Sequence, residues 1–144
     1  MMNQRQPIVA LIDDDKIFQL TTLRMIQAAR LAEGILQFEN GEDALTFLKD
    51  NTDNTDTLPD YIFLDINMPL VDGWMFLEEF AIIKEALKKD VSIFMISSSI
   101  DPRDVSRARH NENVLEYISK PVSREKLAQL LQYQPATVSF NLPD

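Results

Sequence analysis

Acidic, hydroxyl and basic side chains follow four short apolar runs of this chain. Three aspartates at residues 13–15 follow the first run, and Asp65 follows a later one. Two further runs are followed by a serine triplet that begins at Ser97 and by Lys120. These groups are far apart along the chain, so their joint chemistry depends on whether the fold brings the ends of the runs together.

A cluster of Asp13, Asp14 and Asp65 would be electrostatically unfavourable on its own. Two unit charges about 4 Å apart repel each other by roughly 4 kcal/mol at an effective dielectric constant of about 20. Such a cluster either takes up protons or binds a cation. Oxygen ligands without histidine or cysteine select a hard ion, Mg²⁺ or Mn²⁺, and a few carboxylates supplemented by water suit Mg²⁺. The three aspartates therefore predict a Mg²⁺ site.

Lys120 and Ser97 add two groups that suit a phosphoryl ligand. The lysine supplies a compact positive charge for one phosphoryl oxygen, and the serine hydroxyl can donate to a second oxygen. An aspartate beside a metal, a lysine and a hydroxyl is the arrangement with which carboxylate nucleophiles form an aspartyl phosphate. Phosphoryl transfer requires mainly positioning and charge neutralisation, and these residues could provide both.

The elements that must position these groups follow from the alternation of apolar runs with helical patterns. Predicted strands cover residues 8–12, 35–39, 61–64, 91–96 and 114–119. Predicted helices cover residues 17–31, 41–48, 74–89, 101–109 and 123–133. Nearly continuous apolar strands separated by helices indicate an α/β fold with a parallel sheet covered on both faces. The carboxyl ends of parallel strands share one edge of the sheet, where ligands bind, so the polar groups should meet there.

Apolar residues in the first predicted helix suggest its buried face. Ile17, Leu20, Leu23, Ile26 and Leu31 recur with mainly polar residues between them, as expected for an amphipathic helix.

Length and composition limit the remaining possibilities. The 144 residues suffice for one domain, which we expect to span residues 7–133 between short tails at 1–6 and 134–144. The net charge of −9 argues against nucleic-acid binding. No apolar run approaches the roughly 20 residues of a membrane span, and the first residues do not resemble a signal peptide. The absence of cysteine fits a reducing cytoplasm.

Four motifs carry a resemblance to a known family. They are LIDDD (residues 11–15), FLDINMPLVDG (63–73), FMISSS (94–99) and EYISKP (116–121). In this order and spacing they resemble the receiver domain of two-component response regulators, over roughly residues 7–133. The resemblance implies a doubly wound, flavodoxin-like sheet of five parallel strands in the order 2-1-3-4-5.

The resemblance also implies roles for the acidic residues. Asp65 matches the phosphoacceptor, and Asp14 matches a direct ligand of Mg²⁺. Asp13 matches an acid that holds the ion mainly through water, and the backbone carbonyl of Asn67 completes the ligand set.

Later residues match the parts of the family's conformational switch. Ser97 matches the switch hydroxyl, Tyr117 the switch aromatic and Lys120 the lysine that binds the phosphoryl group. Pro121 matches a proline that often follows that lysine through a cis peptide bond. In this mechanism the phosphoryl group attracts Ser97, Tyr117 rotates inward, and the face formed by the fourth strand, fourth helix and fifth strand is remodelled.

The partners implied are other proteins. His110, the one histidine, lies at a polar helix end, so we expect the phosphodonor histidine on a histidine kinase or a histidine phosphotransfer protein. With no output domain after the last helix, a stand-alone switch would act by contacting a downstream target protein, as a monomer or weak homodimer. Such a switch catalyses only its own phosphorylation and dephosphorylation and is not otherwise an enzyme.

Two alternative functions and several structural roles complete the interpretation. A hydrolase of the haloacid-dehalogenase type would use the D-x-D pattern at residues 13–15, but it would lack a cap insertion and leave Asp65 unexplained. A scaffold that has lost phosphotransfer would not need the complete set of acids, hydroxyl and lysine. Asp15 and Asp72 are expected to cap helices. Trp74 should pack near the site and report ligand binding by its fluorescence.

Overall fold

Five parallel strands form one sheet in the order β2-β1-β3-β4-β5 in a computed structural model that describes residues 6–132. In chain order the elements are β1 (Ile8–Ile12), α1 (Lys16–Ala28), β2 (Gly34–Phe38), α2 (Gly41–Asp50), β3 (Tyr61–Asp65), α3 (Gly73–Ile83), β4 (Ser92–Ser97), α4 (Pro102–Arg109), β5 (Val114–Ser119) and α5 (Arg124–Gln132). This confirms the predicted doubly wound, flavodoxin-like α/β fold and its strand order. The predicted tails lie outside the described residues, apart from Gln6.

Two hydrophobic clusters cover opposite faces of the sheet. Ala10 and Ile12 of β1 belong to the cluster shared with α2 and α3. Val9 and Leu11 belong to the cluster shared with α1 and α5. Because side chains alternate between the faces of a strand, a strand covered by helices on both sides must be apolar throughout, as its sequence is. None of the helices within residues 6–132 combines the length and apolar character needed to cross a membrane.

The buried face of α1 differs from the predicted one. Ile17 and Leu20 were expected to face the core, but their side chains are 76% and 46% exposed. The buried residues of the helix are instead Phe18, Gln19, Thr22 and Ile26. Gln19 can be buried because carbonyl groups at the ends of β1 and β2 accept hydrogen bonds from its side chain. The helix is therefore rotated so that this satisfied polar group points inward.

The third helix is shorter than predicted. It was expected to extend to residue 89, but α3 ends at Ile83 and a 3₁₀ turn follows at Lys84–Ala86. The chain then becomes extended at the buried Leu87. Lys89 Nζ lies 2.6 Å from the carbonyl oxygen of Leu58 and 3.4 Å from Asp60 Oδ1. These contacts hold the extended segment after the 3₁₀ turn against the preceding loop.

Side chains cap the start of every helix at the edge of the sheet where the strands end. The caps are Asp15 for α1, Asn40 for α2, Asp72 for α3, Asp101 for α4 and Ser123 for α5. Each accepts a backbone N–H that would otherwise have no partner within the helix. The predicted capping roles of Asp15 and Asp72 are confirmed. The caps define where each strand-to-helix loop ends.

Gly73 allows α3 to begin directly against the end of β3. A Cβ atom at this position would lie 2.8 Å from the carbonyl oxygen of Asp65 and 2.9 Å from the Cα of Ile66. The Gly73 N–H also donates a 2.8 Å hydrogen bond to the carbonyl of Ile66. Any side chain here would push the helix away from the strand that carries Asp65.

Replacing Gly73 with alanine should therefore destabilise the protein. We expect a loss of about 2 kcal/mol in the free energy of unfolding, because the added methyl group meets rigid backbone atoms. Urea unfolding followed by circular dichroism measures this loss. Gly34→Ala is the matched control, since a Cβ there has no atom within 4 Å. Equal stability of the two variants would contradict the close approach at Gly73.

Candidate functional site

Three aspartates meet at the carboxyl ends of β1 and β3. These strands are neighbours in the sheet, with Ile12 paired to Leu64. Asp13, Asp14 and Asp65 each offer a carboxylate oxygen, and the three oxygens lie within 4.8 Å of one another. Asp13 and Asp65 are buried, whereas Asp14 is exposed. The structure thus brings together acids that are about fifty residues apart in sequence, as the order of the strands requires.

The ammonium group of Lys120 lies among these carboxylates. Its Nζ atom is 2.9 Å from Asp13 Oδ2, 3.7 Å from Asp65 Oδ1 and 3.9 Å from Asp15 Oδ2. The ring of Phe18 lies 4.7 Å from the same atom, close enough for a cation–π contact. With 12% of its side chain exposed, Lys120 is held in a narrow space between acids and an aromatic ring.

The backbone beside Lys120 fixes its position relative to β4. The Lys120 N–H donates a 2.8 Å hydrogen bond to the carbonyl of Ser97. The peptide bond between Lys120 and Pro121 is cis, which confirms the expectation drawn from the resemblance. These features place the lysine at the end of β5 with its side chain directed across the edge of the sheet.

Burial and mutual repulsion change the protonation of the two inner acids. Burial, together with the charges of Asp13 and Asp14, raises the pKa of Asp65 from 3.8 to about 7. Lys120 and the N–H of Asn67 oppose this increase without cancelling it. Burial also raises the pKa of Asp13, despite its bond to Lys120. The site is therefore short of positive charge.

Lys120 remains protonated in this environment. Burial alone would lower its pKa, but the hydrogen bond and charge of Asp13, with the charges of Asp65 and Asp15, raise the pKa above the usual lysine value. A permanently charged ammonium group suits the binding of an anionic oxygen.

The arrangement of oxygen atoms suits a hard divalent cation. Asp13 Oδ2 is buried and is paired with Lys120 Nζ at 2.9 Å. The carboxylate of Asp14 is exposed and has no hydrogen-bond partner within residues 6–132. Asn67, two residues after Asp65, is also exposed. Carboxylate oxygens in an open site are the ligands that Mg²⁺ prefers, so these residues fit the predicted ion.

Ser97 and Tyr117 are connected through a single residue, Ser99. The buried Ser97 Oγ accepts a 3.2 Å hydrogen bond from the Ser99 N–H. The carbonyl oxygen of Ser99 accepts a 3.0 Å hydrogen bond from the Tyr117 hydroxyl. A displacement of Ser97 would therefore act on the same residue that holds the Tyr117 ring in place.

The structure also bears on the predictions made for Trp74 and His110. Trp74 is buried, and the guanidinium carbon of Arg107 lies 4.2 Å above its ring. His110 is exposed at the end of α4, with Nδ1 located 2.7 Å from the carbonyl oxygen of Ser106. Both observations agree with the packing role predicted for Trp74 and the solvated position predicted for His110.

Sequence reasoning missed two residues of α1 that contribute to the site. Phe18 contacts the ammonium group of Lys120, and Gln19 binds the backbone carbonyl of Asp13. The four-residue spacing of Phe18, Thr22 and Ile26 was the signal that could have identified this face. It was obscured by the more apolar residues Ile17 and Leu20.

Comparisons with known proteins agree on one family. Residues 9–132 match the response regulator receiver domain. The chain is 30% identical over 125 residues to the sensor histidine kinase CheAY of Helicobacter pylori, covering 87% of this chain and 14% of CheAY. It is 29% identical over 131 residues to the "Probable C4-dicarboxylate response regulator DctR" of Bacillus subtilis, covering 91% of this chain and 53% of DctR. The chain thus spans only part of both relatives.

A solved structure supports the same relationship over the full fold. The chain is similar to a two-component response regulator from Cytophaga hutchinsonii with a TM-score of 0.80 and 29% sequence identity. The match covers 96% of this chain and 100% of that one.

The metal-free protein should become less stable as the pH rises from about 4 to about 7. With its pKa raised from 3.8 to about 7, the folded Asp65 keeps a proton that the unfolded chain has already released in this interval. One pKa unit corresponds to about 1.4 kcal/mol, so the expected loss is on the order of a few kcal/mol. Urea unfolding in EDTA at about pH 5 and about pH 7.5 measures it.

Asp65→Asn provides the control for this prediction, because asparagine does not titrate. Its free energy of unfolding should fall less over the same pH interval. An identical pH dependence in the two proteins would contradict the raised pKa of Asp65.

Proposed function

The chain belongs to the response regulator receiver family, and we propose that Asp65 is its phosphoacceptor. Receiver domains are phosphoacceptor switches of two-component signalling, which take phosphoryl groups from histidine kinases and signal to downstream targets. The observation that carries the assignment of Asp65 is its position between two other acids and an ammonium group at the carboxyl edge of the sheet.

The proposed reaction transfers a phosphoryl group from a phosphohistidine of a partner protein, or from a small phosphodonor, to Asp65. A carboxylate oxygen of Asp65 forms a bond to phosphorus while the bond from phosphorus to the histidine nitrogen breaks. The departing imidazole keeps the electron pair of that bond. Asp65 must be ionised to attack, and a cation held by the neighbouring acids would lower its raised pKa.

We assign the metal ligands to the acids around Asp65. Asp13, Asp14, Asp65 and the backbone carbonyl of Asn67 would hold Mg²⁺. When bound, the ion supplies positive charge that neutralises the phosphoryl oxygens during transfer. Two observations support this assignment: the three carboxylates converge within 4.8 Å, and the carboxylate of Asp14 makes no hydrogen bond within residues 6–132.

Lys120 binds the phosphoryl group on the side facing β5. Its Nζ atom is 3.7 Å from Asp65 Oδ1, so a phosphoryl group attached to that carboxylate would come within reach of the ammonium. The bond to Asp13 Oδ2 keeps the lysine at this position before transfer. The arrangement needs little reorganisation when charge develops on the phosphoryl oxygens.

Ser97 and Tyr117 form the proposed switch. The hydroxyl of Ser97 donates a hydrogen bond to a phosphoryl oxygen, and the movement of Ser97 disturbs the hydrogen bond that its Oγ accepts from the Ser99 N–H. Tyr117 then leaves the carbonyl of Ser99 and rotates inward. A cavity of about 340 Å³ lined by Tyr117, Val105 and Ala108 provides space between α4 and β5. Phosphorylation thus shifts the population of two conformations of this face.

The partners in this proposal are a protein that donates the phosphoryl group and a target that reads the altered face. His110 is bound to the backbone at the exposed end of α4, which is consistent with a donor histidine on another chain. One relative, CheAY, is named as a sensor histidine kinase. The target, a monomeric or weakly dimeric state and a cytoplasmic location all stay predictions.

The two alternatives receive less support. A haloacid-dehalogenase-type hydrolase would use Asp13 as nucleophile, yet its carboxylate is paired with Lys120 at 2.9 Å. Repeated turnover of a phosphomonoester would favour that activity. A scaffold without phosphotransfer would be favoured if Mg²⁺ left the fluorescence of Trp74 unchanged.

Acetyl phosphate with Mg²⁺ should add one phosphoryl group to the wild-type protein. Asp65→Asn should add none, because the amide lacks the nucleophilic oxygen. Intact-protein mass spectrometry detects the modification. Asp90→Asn is the control, since Asp90 is exposed and precedes β4 at the opposite edge of the sheet. Phosphorylation of Asp65→Asn to the wild-type level would reject the assignment.

Lys120→Met should affect ion binding and phosphorylation in opposite directions. Without the ammonium, the acids attract a cation more strongly, so the affinity for Mg²⁺ should increase. Loss of charge stabilisation should slow phosphorylation by about 100-fold. Trp74 fluorescence measures the first effect and time-resolved mass spectrometry the second. The control is Lys126→Met, which removes a lysine that is paired with Glu116 away from the acids. It should change neither the Mg²⁺ affinity nor the phosphorylation rate. A phosphorylation rate of Lys120→Met equal to that of the wild type would refute the proposed role.

A further inference from the structure

A buried glutamine connects α1 to the acidic end of β1. The side chain of Gln19 is 7% exposed. Its Nε2 group lies 2.9, 3.1 and 3.2 Å from the carbonyl oxygens of Phe38, Asp13 and Leu11, which share its two N–H donors. Its Oε1 atom accepts a 2.9 Å hydrogen bond from Gln37 Nε2. Both ends of the amide are therefore bound, which fixes its orientation.

We propose that Gln19 is a positioning residue that holds the peptide between Asp13 and Asp14 so that both carboxylates face the same ion. This inference rests on the proposed function of the acids as Mg²⁺ ligands. The carbonyl of Asp13 belongs to the peptide plane that joins the two residues. A hydrogen bond to that oxygen limits rotation of the plane and hence the directions in which both side chains leave the backbone.

Asp14 depends on this contact more than Asp13 does. The N–H of Asp13 donates to the carbonyl of Phe38 at 3.0 Å, and its Oδ1 accepts the N–H of Asp15 at 2.8 Å. Lys120 contacts its other carboxylate oxygen. The carboxylate of Asp14, by contrast, has no hydrogen bond within the described residues. Its location is set by the backbone, and Gln19 holds the backbone at that point.

The carbonyl of Phe38 connects Gln19 to β2 as well as to β1. Its carbonyl oxygen accepts both the N–H of Asp13 and the side-chain amide of Gln19. The end of β1 is therefore held from β2 and from α1 together. Outer hydrogen bonds of this kind typically change metal affinity by about 10- to 100-fold when they are removed.

The test is a Mg²⁺ titration of Gln19→Met followed by the backbone NMR signals of Asp14 and Asp65. Methionine has a similar length but no N–H donor, so the carbonyl of Asp13 loses this contact without a large cavity. We expect the dissociation constant for Mg²⁺ to rise about tenfold.

Thr22→Val separates positioning from a general loss of stability. Thr22 is 1% exposed on the same face of α1, about one turn further from the acids. Like Gln19→Met, this variant deletes a buried polar group, but it should leave the dissociation constant for Mg²⁺ unchanged. Urea unfolding in EDTA reports the stability cost of each variant, so a change in Mg²⁺ affinity can be compared with it.

The outcomes distinguish this inference from the proposed function. If the wild type binds Mg²⁺ at Asp14 and Asp65 and Gln19→Met binds it equally well, the positioning role is overturned and the proposed function stands. If the wild type itself binds no Mg²⁺, the proposed function fails, and the positioning role fails with it. Equal weakening by Gln19→Met and Thr22→Val would also overturn the positioning role.

A measurement on the wild type covers the case in which Gln19→Met does not fold. The side-chain amide signals of Gln19 should shift during the Mg²⁺ titration with the same dissociation constant as the backbone signal of Asp14. Such a shift supports the link through the Asp13 carbonyl. Signals of Gln19 that do not respond to Mg²⁺ would overturn it.

Discussion

Two buried carboxylates, Asp13 and Asp65, lie at the ends of neighbouring parallel strands, and the ammonium group of Lys120 lies between them. Their repulsion is only partly compensated, as the raised pKa values of both acids indicate. A divalent cation would relieve this imbalance, and the arrival of an anionic phosphoryl group would redistribute it. The chemistry proposed for the site follows from this deficit of positive charge.

The surrounding fold maintains that unfavourable arrangement by fixing the backbone around it. Gly73 lets α3 begin against the strand that carries Asp65. Gln19 holds the end of β1, and the bond from the Lys120 N–H to Ser97 holds the end of β5. The hydrophobic clusters on both faces of the sheet supply the stability that permits buried acids at its edge. The stability gained from packing thus offsets the electrostatic repulsion among the acids.

The same backbone contacts connect the acids to the outer surface. Ser97 is the last residue of β4, and its hydroxyl oxygen accepts a hydrogen bond from the N–H of Ser99. The carbonyl of Ser99 in turn accepts a hydrogen bond from the hydroxyl of Tyr117. In the proposed switch, loss of the hydrogen bond to the Ser99 carbonyl frees the Tyr117 ring to enter the cavity beside α4. In this way a change of charge at Asp65 can become a change of shape more than one strand away.

The sequence alone determined the order of strands and helices, the apolar strands, the caps at Asp15 and Asp72 and the residues that follow each strand, because these features depend on local side-chain chemistry and on the rules for parallel sheets. It identified Asp13, Asp14, Asp65 and Lys120 for the same reason. Only the tertiary structure decided which face of α1 is buried, where α3 ends and how Gln19 contributes. The acceptors of Gln19 come from β1 and β2, and the segment after α3 contacts residues 58 and 60 through Lys89. These contacts join residues that are distant in sequence, so the local sequence pattern of a helix cannot predict them.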